Sequence, residues 1–303
     1  MDEWKDALAA FCMTGAHLST LQPGWTNSSV RARTACADIV LRRHGGLGIT
    51  RASVERKLRI AAMLHGRGAP VSRPVAAVDG RLAIRSAGHI YSASQYARGS
   101  VRAGASAHFY GAFLGSYHAV ALGAPRANAP ALASRAVFGW LASEFHTMHR
   151  ARRAGIDWRH ASDIARILNQ SCKAERSRGA MLWVHGDARA ENIVTSGTRA
   201  TLIDFDFLHY SEPVYDLATL ADDIAWPAGG TLADSIVEQL LLGYATQVAF
   251  TDQQRSALLP AMARRNLAML WYIAARHPVL AGIPLANARH CLHRCERLLE
   301  RIA

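Results

Sequence analysis

The sequence predicts an α+β chain in two parts, a small β-rich part spanning residues 1–97 and a larger, mostly helical part from 98 to 303. Three observations predict it. Short apolar runs bounded by Gly, Pro and Ser crowd the first part, whereas 3.6-residue periodicity dominates from Phe109 onward. Within the helical part, two short apolar runs, residues 181–184 and 200–203, are each followed closely by an aspartate, Asp187 and Asp204.

In chain order, Pro23, Gly24, Thr26, Asn27, Ser28 and Ser29 form a turn-rich stretch that leads into Val30. A hairpin is expected here whose backbone amides cover phosphate, with Asn27 and Ser28 as candidate binding residues. The stretch lacks Gly-x-Gly-x-x-Gly spacing, and a plain surface hairpin is the competing reading. Residues 39–43, Ile-Val-Leu-Arg-Arg, read as a strand ending in cations. A side-chain period of two puts Val40 and Arg42 on one face and Leu41 and Arg43 on the other, so one arginine can face a ligand and its neighbour cannot. Arg42 is the candidate. Val54, Leu58, Ala61, Ala62 and Leu64 fit a helix closed by Gly66 and Gly68, with Glu55 early in it, where the helix dipole favours an acid. Residues 81–90 read as a hairpin pair and 91–99 as the segment joining the two parts. Downstream, residues 109–118, 237–244 and 267–273 have helical periodicity, with His118 placed as a core or capping histidine.

His185-Gly186-Asp187, Asn192 and Ile203-Asp204-Phe205-Asp206 supply the groups that phosphoryl transfer requires: a carboxylate to orient and deprotonate a hydroxyl, and oxygen ligands for Mg²⁺ on nucleotide phosphates. The apolar runs put Asp187 in the loop after one strand and Asp204 at the end of another, so the two carboxylates are expected at one end of a small sheet. His-Gly-Asp alone is an ordinary turn. An ordinary turn does not predict the asparagine, the apolar run and the second aspartate in order.

The order His-Gly-Asp187-x4-Asn192, then Ile-Asp204-Phe-Asp206, then Pro213-x-x-Asp216-Leu217-Ala218 resembles the aminoglycoside phosphotransferase family, which includes choline kinase-like and homoserine kinase-like enzymes. The resemblance implies a protein kinase-like two-lobed fold with a hinge near residues 91–99, and O-phosphotransfer from ATP or GTP to a small-molecule hydroxyl. It implies Asp187 as catalytic base, Asn192 and Asp204 as Mg²⁺ ligands and Asp216 as the helix carboxylate that braces the catalytic loop; beside these, Asp206 is a candidate auxiliary metal contact. It also implies that Arg42 reaches the α- and β-phosphates and that Glu55 pairs with Arg42. One departure stands out: the family commonly has Leu-His-Pro-Gly between the aspartate and the asparagine, and here Ala188, Arg189, Ala190 and Glu191 occupy that place. Arg189 is expected to approach the transferred phosphoryl group, where a guanidinium stabilises charge on the equatorial oxygens.

The formal net charge of +12 comes almost entirely from dispersed arginine, with no basic block or aromatic-interleaved stripe, which argues against nucleic acid as the partner. A nucleic-acid- or protein-associated kinase and a catalytically silent nucleotide-binding module are the other classes; retention of the base and both metal groups argues against the silent module. Five irregularly spaced cysteines point to reduced thiols, and packing explains Cys291 and Cys295 more simply than zinc. No run reaches membrane-span length and the first residues do not resemble a signal peptide, so a cytoplasmic location is expected. From Ala200 to Gln254 there is no Lys or Arg, while Asp204, Asp206, Glu212, Asp216, Asp222, Asp223, Asp234, Glu238 and Asp252 recur. An acidic wall there favours a cationic acceptor such as an aminoglycoside-like antibiotic or choline. The competing reading assigns those acids to metal binding, burial and solvated helix faces, and a carboxylate-bearing acceptor such as homoserine would instead need a nearby arginine.

Overall fold

Alternating side chains in the first part build a twisted antiparallel sheet whose two faces serve different ends. The computed structural model describes residues 2–21, 27–45, 49–101, 105–126, 180–226, 230–276 and 285–302. Strands β1 (His17–Thr20), β2 (Ser28–Arg33), β3 (Asp38–His44), β4 (Pro74–Val75), β5 (Ala83–Ser86) and β6 (His89–Gln95) form one sheet in the order β1-β2-β3-β6-β4, with β5 also paired to β6. Ile39, Leu41, Tyr91 and Ala93 pack with Trp4, Ala7 and Phe11, around helix α1 (Lys5–Ala10), into a core on one face. The register Ser29↔Arg42↔Ser92 beside Ser28↔Arg43↔Tyr91 sends Arg42 and Arg43 to opposite faces, as period two requires. Helix α2 (Arg51–Gly66) starts at Thr50, whose hydroxyl accepts the Ser53 N–H while Ser53 Oγ accepts the Thr50 N–H. The β5–β6 turn is Ala87-Gly88, both at positive φ (46° and 80°), the geometry of a two-residue hairpin. Because β6 runs to Gln95, residues 91–95 are strand rather than connecting segment.

The chain divides into two compact units, Met1–Ala103 with Glu191–Leu208, and Gly104–Ala190 with His209–Ala303. The sequence reading placed everything after residue 98 in one helical lobe. Pairing explains the difference: β9 (Ile193–Ser196) pairs with both β7 (Ser100–Val101) and β10 (Arg199–Leu202), and Val71 bridges Leu202. In the second unit β8 (Leu182–Val184) pairs instead with β11 (His209–Ser211). The strands preceding Asp187 and Asp204 therefore belong to different sheets and not to one. Apolar runs locate strands but do not choose their partners.

Helices of the second unit are α3 (Ala107–Leu122), α4 (Val214–Ile224), α5 (Asp234–Ala245), α6 (Asp252–Ser256), α7 (Leu258–Arg276) and α8 (Leu285–Ile302) among the described residues. Helices α3 and α5 cross at glycines: a Cβ on Gly111 would overlap the Leu240 carbonyl oxygen, and one on Gly243 the His108 carbonyl oxygen. Helix α7 packs against α4 and α8. The buried Cys295 thiol donates to the Ala263 carbonyl (3.2 Å), and burial pushes the Cys291 thiol up to about 11, so both cysteines act as packed thiols. No described helix is long and apolar enough to cross a membrane.

Candidate active site

In the second unit, the loop after β8 is shaped from below by α4. Gly186 takes φ +83°, a conformation that a side chain disfavours, and this turns the chain at His185-Gly186-Asp187. Asp216, fully buried in the first turn of α4, accepts the His185 N–H (2.7 Å) and the Gly186 N–H (2.8 Å). His118 Nε2 lies 3.2 Å from the same carboxylate and its Nδ1 2.9 Å from the Tyr244 hydroxyl, so the histidine is a core group, as expected. Burial alone would raise the Asp216 pKa, but these hydrogen bonds and the imidazole hold it below the usual carboxylate range. Seven residues along the same helix, Asp223 accepts the Ala190 N–H (2.9 Å). One helix face thus clamps both ends of the loop. Sequence reading missed Asp223, although its i, i+7 spacing from Asp216 was a usable signal.

Asp187 sits between these clamps. Arg189 Nε donates to its Oδ1 (3.0 Å) and Nη2 to its Oδ2 (3.3 Å), a fork on a carboxylate. Arg189, expected on the transferred phosphoryl group, is therefore on Asp187 itself.

In the first unit, Asp204 adopts a left-handed backbone (φ 69°), unusual for a non-glycine residue and typical of functional turns. The preceding residues are fixed by Leu202 N–H to Pro70 O (2.8 Å) and Ile203 N–H to Asn192 O (2.9 Å), which sets the Asp204 segment beside the buried Asn192. Arg42 Nη1 pairs with Asp204 Oδ1 at 2.5 Å and with Asp206 Oδ2 at 3.5 Å. Burial works against the guanidinium charge, yet Asp204 and Asp206 more than offset it and raise the pKa. Asn27 Nδ2 donates to Asp206 Oδ2 (2.5 Å), while its Oδ1 accepts the Gly45 N–H (3.2 Å). Lys57 donates to the Asp206 main-chain oxygen, and His44 hydrogen-bonds Ser92 Oγ (2.8 Å) with Nδ1 3.6 Å from Asp206. Burial lowers the pKa of both Lys57 and His44. Lys57 was missed; it is one of only three lysines in an arginine-rich chain, which was its one signal.

Two expected site residues lie elsewhere. Glu55 does not pair with Arg42: its Oε2 accepts the Leu82 and Ala83 N–H groups (2.9 and 2.8 Å) and its Oε1 pairs with Arg59 at 2.7 Å. Residues two apart on a helix point in nearly opposite directions, so with Glu55 on β5 it is Lys57 that turns toward Asp206. Ser28 Oγ accepts from Arg43 Nη2 (3.3 Å), on the sheet face opposite Arg42. Of the turn that precedes it, residues 22–26 fall outside those described.

Five acids of the stretch from Ala200 to Gln254 are paired with arginines from outside it. Asp222 is paired with Arg265 and Arg294 (both 3.1 Å), Asp234 with Arg301 (2.7 Å) and Glu238 with Arg255 (2.6 Å), and in the first unit Arg42 covers Asp204 and Asp206. Arginines distant in sequence thus return to five of the nine acids and backbone N–H groups serve Asp216 and Asp223, which weakens the basis for an acidic wall. As donors for a cofactor, Asn192 and Asp204 offer hard oxygens in adjacent segments, with the Asp204 side chain 30% exposed. They fit a small divalent cation.

A model described as "Phosphotransferase enzyme family" matches residues 17–258. No curated protein matches the sequence. Among solved structures, a microcompartment-associated aminopropanol kinase is similar at TM-score 0.74 and 18% identity, covering 99% of this chain and 98% of that one. An amicoumacin kinase in complex with AMP-PNP, Ca²⁺ and Ami is similar at TM-score 0.72 and 13% identity, covering 94% of this chain and 88% of that one. A choline/ethanolamine kinase family protein from Mesorhizobium loti is similar at 0.66 and 20%, covering 99% and 94%. These likenesses share the α+β protein kinase-like fold.

Proposed function

The chain belongs to the phosphotransferase enzyme family and is a phosphotransferase acting on hydroxyl groups; on that footing we propose that it moves the γ-phosphate of ATP or GTP to a small molecule that carries both a hydroxyl and an amine. The observation that carries this reading is the Asp187 loop, held at both ends by α4 through Asp216 and Asp223. A carboxylate on a fixed backbone suits a general base, because the acceptor hydroxyl must be aligned as it loses its proton.

In this reading Asp187 takes the acceptor proton, Arg42 moves from Asp204 to the non-transferred phosphates, and Arg189 shifts from Asp187 toward the transferred group. Asn192 and Asp204 would hold Mg²⁺, which supplies positive charge against the phosphate oxygens. Asn27 and Lys57 keep Asp206 beside that site. The amine-bearing acceptor is supported by the similar structures, which include an aminopropanol kinase and a choline/ethanolamine kinase family protein. The acids of residues 200–254 support it less, since five of the nine are paired with arginines. A metabolic amino-alcohol kinase and an antibiotic kinase are the two forms this takes.

Nucleoside diphosphate release with Mg²⁺ and ATP or GTP across aminoglycosides, peptide and nucleoside antibiotics, choline, ethanolamine and homoserine tests the reading. One acceptor should stimulate release, and Asp187→Asn should lower it about 10²- to 10⁴-fold while nucleotide still binds. Equal turnover in Asp187→Asn would overturn the mechanism.

A further inference from the structure

Asp222, also on α4, is fully buried and saturated with donors. Its Oδ1 accepts from Asn266 Nδ2 (2.6 Å) and Trp226 Nε1 (3.1 Å), and its Oδ2 from Arg265 Nη1 and Arg294 Nη1 (both 3.1 Å). Arg294 also donates to the Asp222 main-chain oxygen (3.0 Å), and its guanidinium lies over the Trp226 ring at 5.1 Å. A carboxylate so enclosed cannot serve a ligand; it can only hold its donors still. Two arginines share that single charge, so one positive charge is left over, and the second Arg265 nitrogen, Nη2, points to Asp187 with Oδ1 3.7 Å away. The Arg265 side chain is only 12% exposed, so solvent screens the pair weakly.

We infer that Arg265 is a positioning residue for the Asp187 carboxylate, anchored by Asp222 and, through it, by Arg294 of the last helix. The inference rests on the reading of Asp187 as general base. It separates two arginines with different duties. Arg189 is Asp187's neighbour in the loop and approaches it from a flexible stem. Arg265 is braced on α7 by Asp222 and stays when Arg189 shifts, so the base keeps one fixed cation beside Oδ1. A cation held by a saturated buried carboxylate orients its partner without reorganising during the reaction, which is the property a positioning group needs.

The test compares Arg265→Gln, Arg265→Lys and wild type by two readouts. The first is slow hydrolysis of Mg·ATP, water standing in for the acceptor and Asp187→Asn serving as blank. Arg265→Gln should lower kcat about 10- to 100-fold with KM for ATP unchanged, and move the acid limb of the kcat–pH profile. Arg265→Lys should restore part of the rate. The second needs no turnover: with carboxyl-¹³C aspartate, the Asp187 resonance, identified by its loss in Asp187→Asn, should move in Arg265→Gln and return toward wild type in Arg265→Lys. The resonance of Asp234 should stay put in both. If wild-type hydrolysis equals the blank but the Asp187 resonance responds, the phosphotransfer reading fails and the placement of Arg265 stands. An unmoved Asp187 resonance in folded Arg265→Gln overturns the inference whatever the rate.

Discussion

The carboxylates of α4 and those of the Asp204–Asp206 turn are equally acidic in sequence and opposite in physical state. On α4, Asp216 and Asp223 are satisfied by backbone N–H groups, and Asp222 by four side chains packed around it. In the turn, Asp204 and Asp206 are held by Arg42, Asn27 and Lys57, with their side chains 30% and 23% exposed. Backbone partners cannot leave and the fully buried Asp222 holds its donors out of reach, whereas the cation on the partly exposed turn carboxylates can transfer to a phosphate. The first set is therefore scaffold and the second exchangeable, and the difference is made by the partner and its burial and not by the acid.

The largest effect that would break this contrast is at Asp216. Asp216→Ala strands two buried N–H groups and His118, and unfolding by denaturant should show a loss of about 3 kcal/mol or more. A near-neutral result would mean that the α4 acids are not scaffold. Next, Arg42→Ala should weaken Mg·ATP binding by calorimetry by about 1.5–3 kcal/mol, the range for a hydrogen bond to a charged group, with a much smaller change in stability. Unaltered nucleotide affinity would remove the exchangeable cation from the account. Glu55→Ala sharpens the same boundary from inside the first unit. It should cost about 2 kcal/mol of stability through two orphaned N–H groups and leave Mg·ATP affinity unchanged; an affinity loss without a stability loss would reinstate the pairing with Arg42.

The smallest effect is on pH. Burial lowers the His44 pKa, against the pull of Asp206 and Asp204 and with the help of Arg42 and Lys57. The unfolded chain therefore binds more protons in the window just below 6.5, and stability rises with pH across it and is lost as pH falls. His44→Gln should flatten that slope in thermal melts from acid to neutral pH. An identical slope in the variant would show that other groups set it.

Much of this was legible early. The spacing of Asp187, Asn192, Asp204 and Asp216 and the strand carrying Arg42 are local patterns, and the helix holding Glu55 is marked by its own periodicity and terminal glycines. What misled was partner choice. Glu55 and Lys57 differ by two positions, and only the direction in which α2 docks decides which one meets Asp206. The run without Lys or Arg leaves an acidic wall and plain burial or solvation both open, because Arg255, Arg265, Arg294 and Arg301, which pair with three of its acids, lie beyond its end. The strands before the two aspartates likewise joined different sheets, since pairing is set by neighbours far along the chain.

The sequence by itself determined the family chemistry and the alternation that turns Arg42 away from Arg43. Both follow from covalent spacing, which a chain cannot alter by folding. Only the tertiary structure decided that Asp222 is an anchor, that Arg265 reaches Asp187 and that Glu55 is a backbone acceptor. Those facts depend on which surfaces become buried together, and a buried charge takes whatever partner the packing brings within reach.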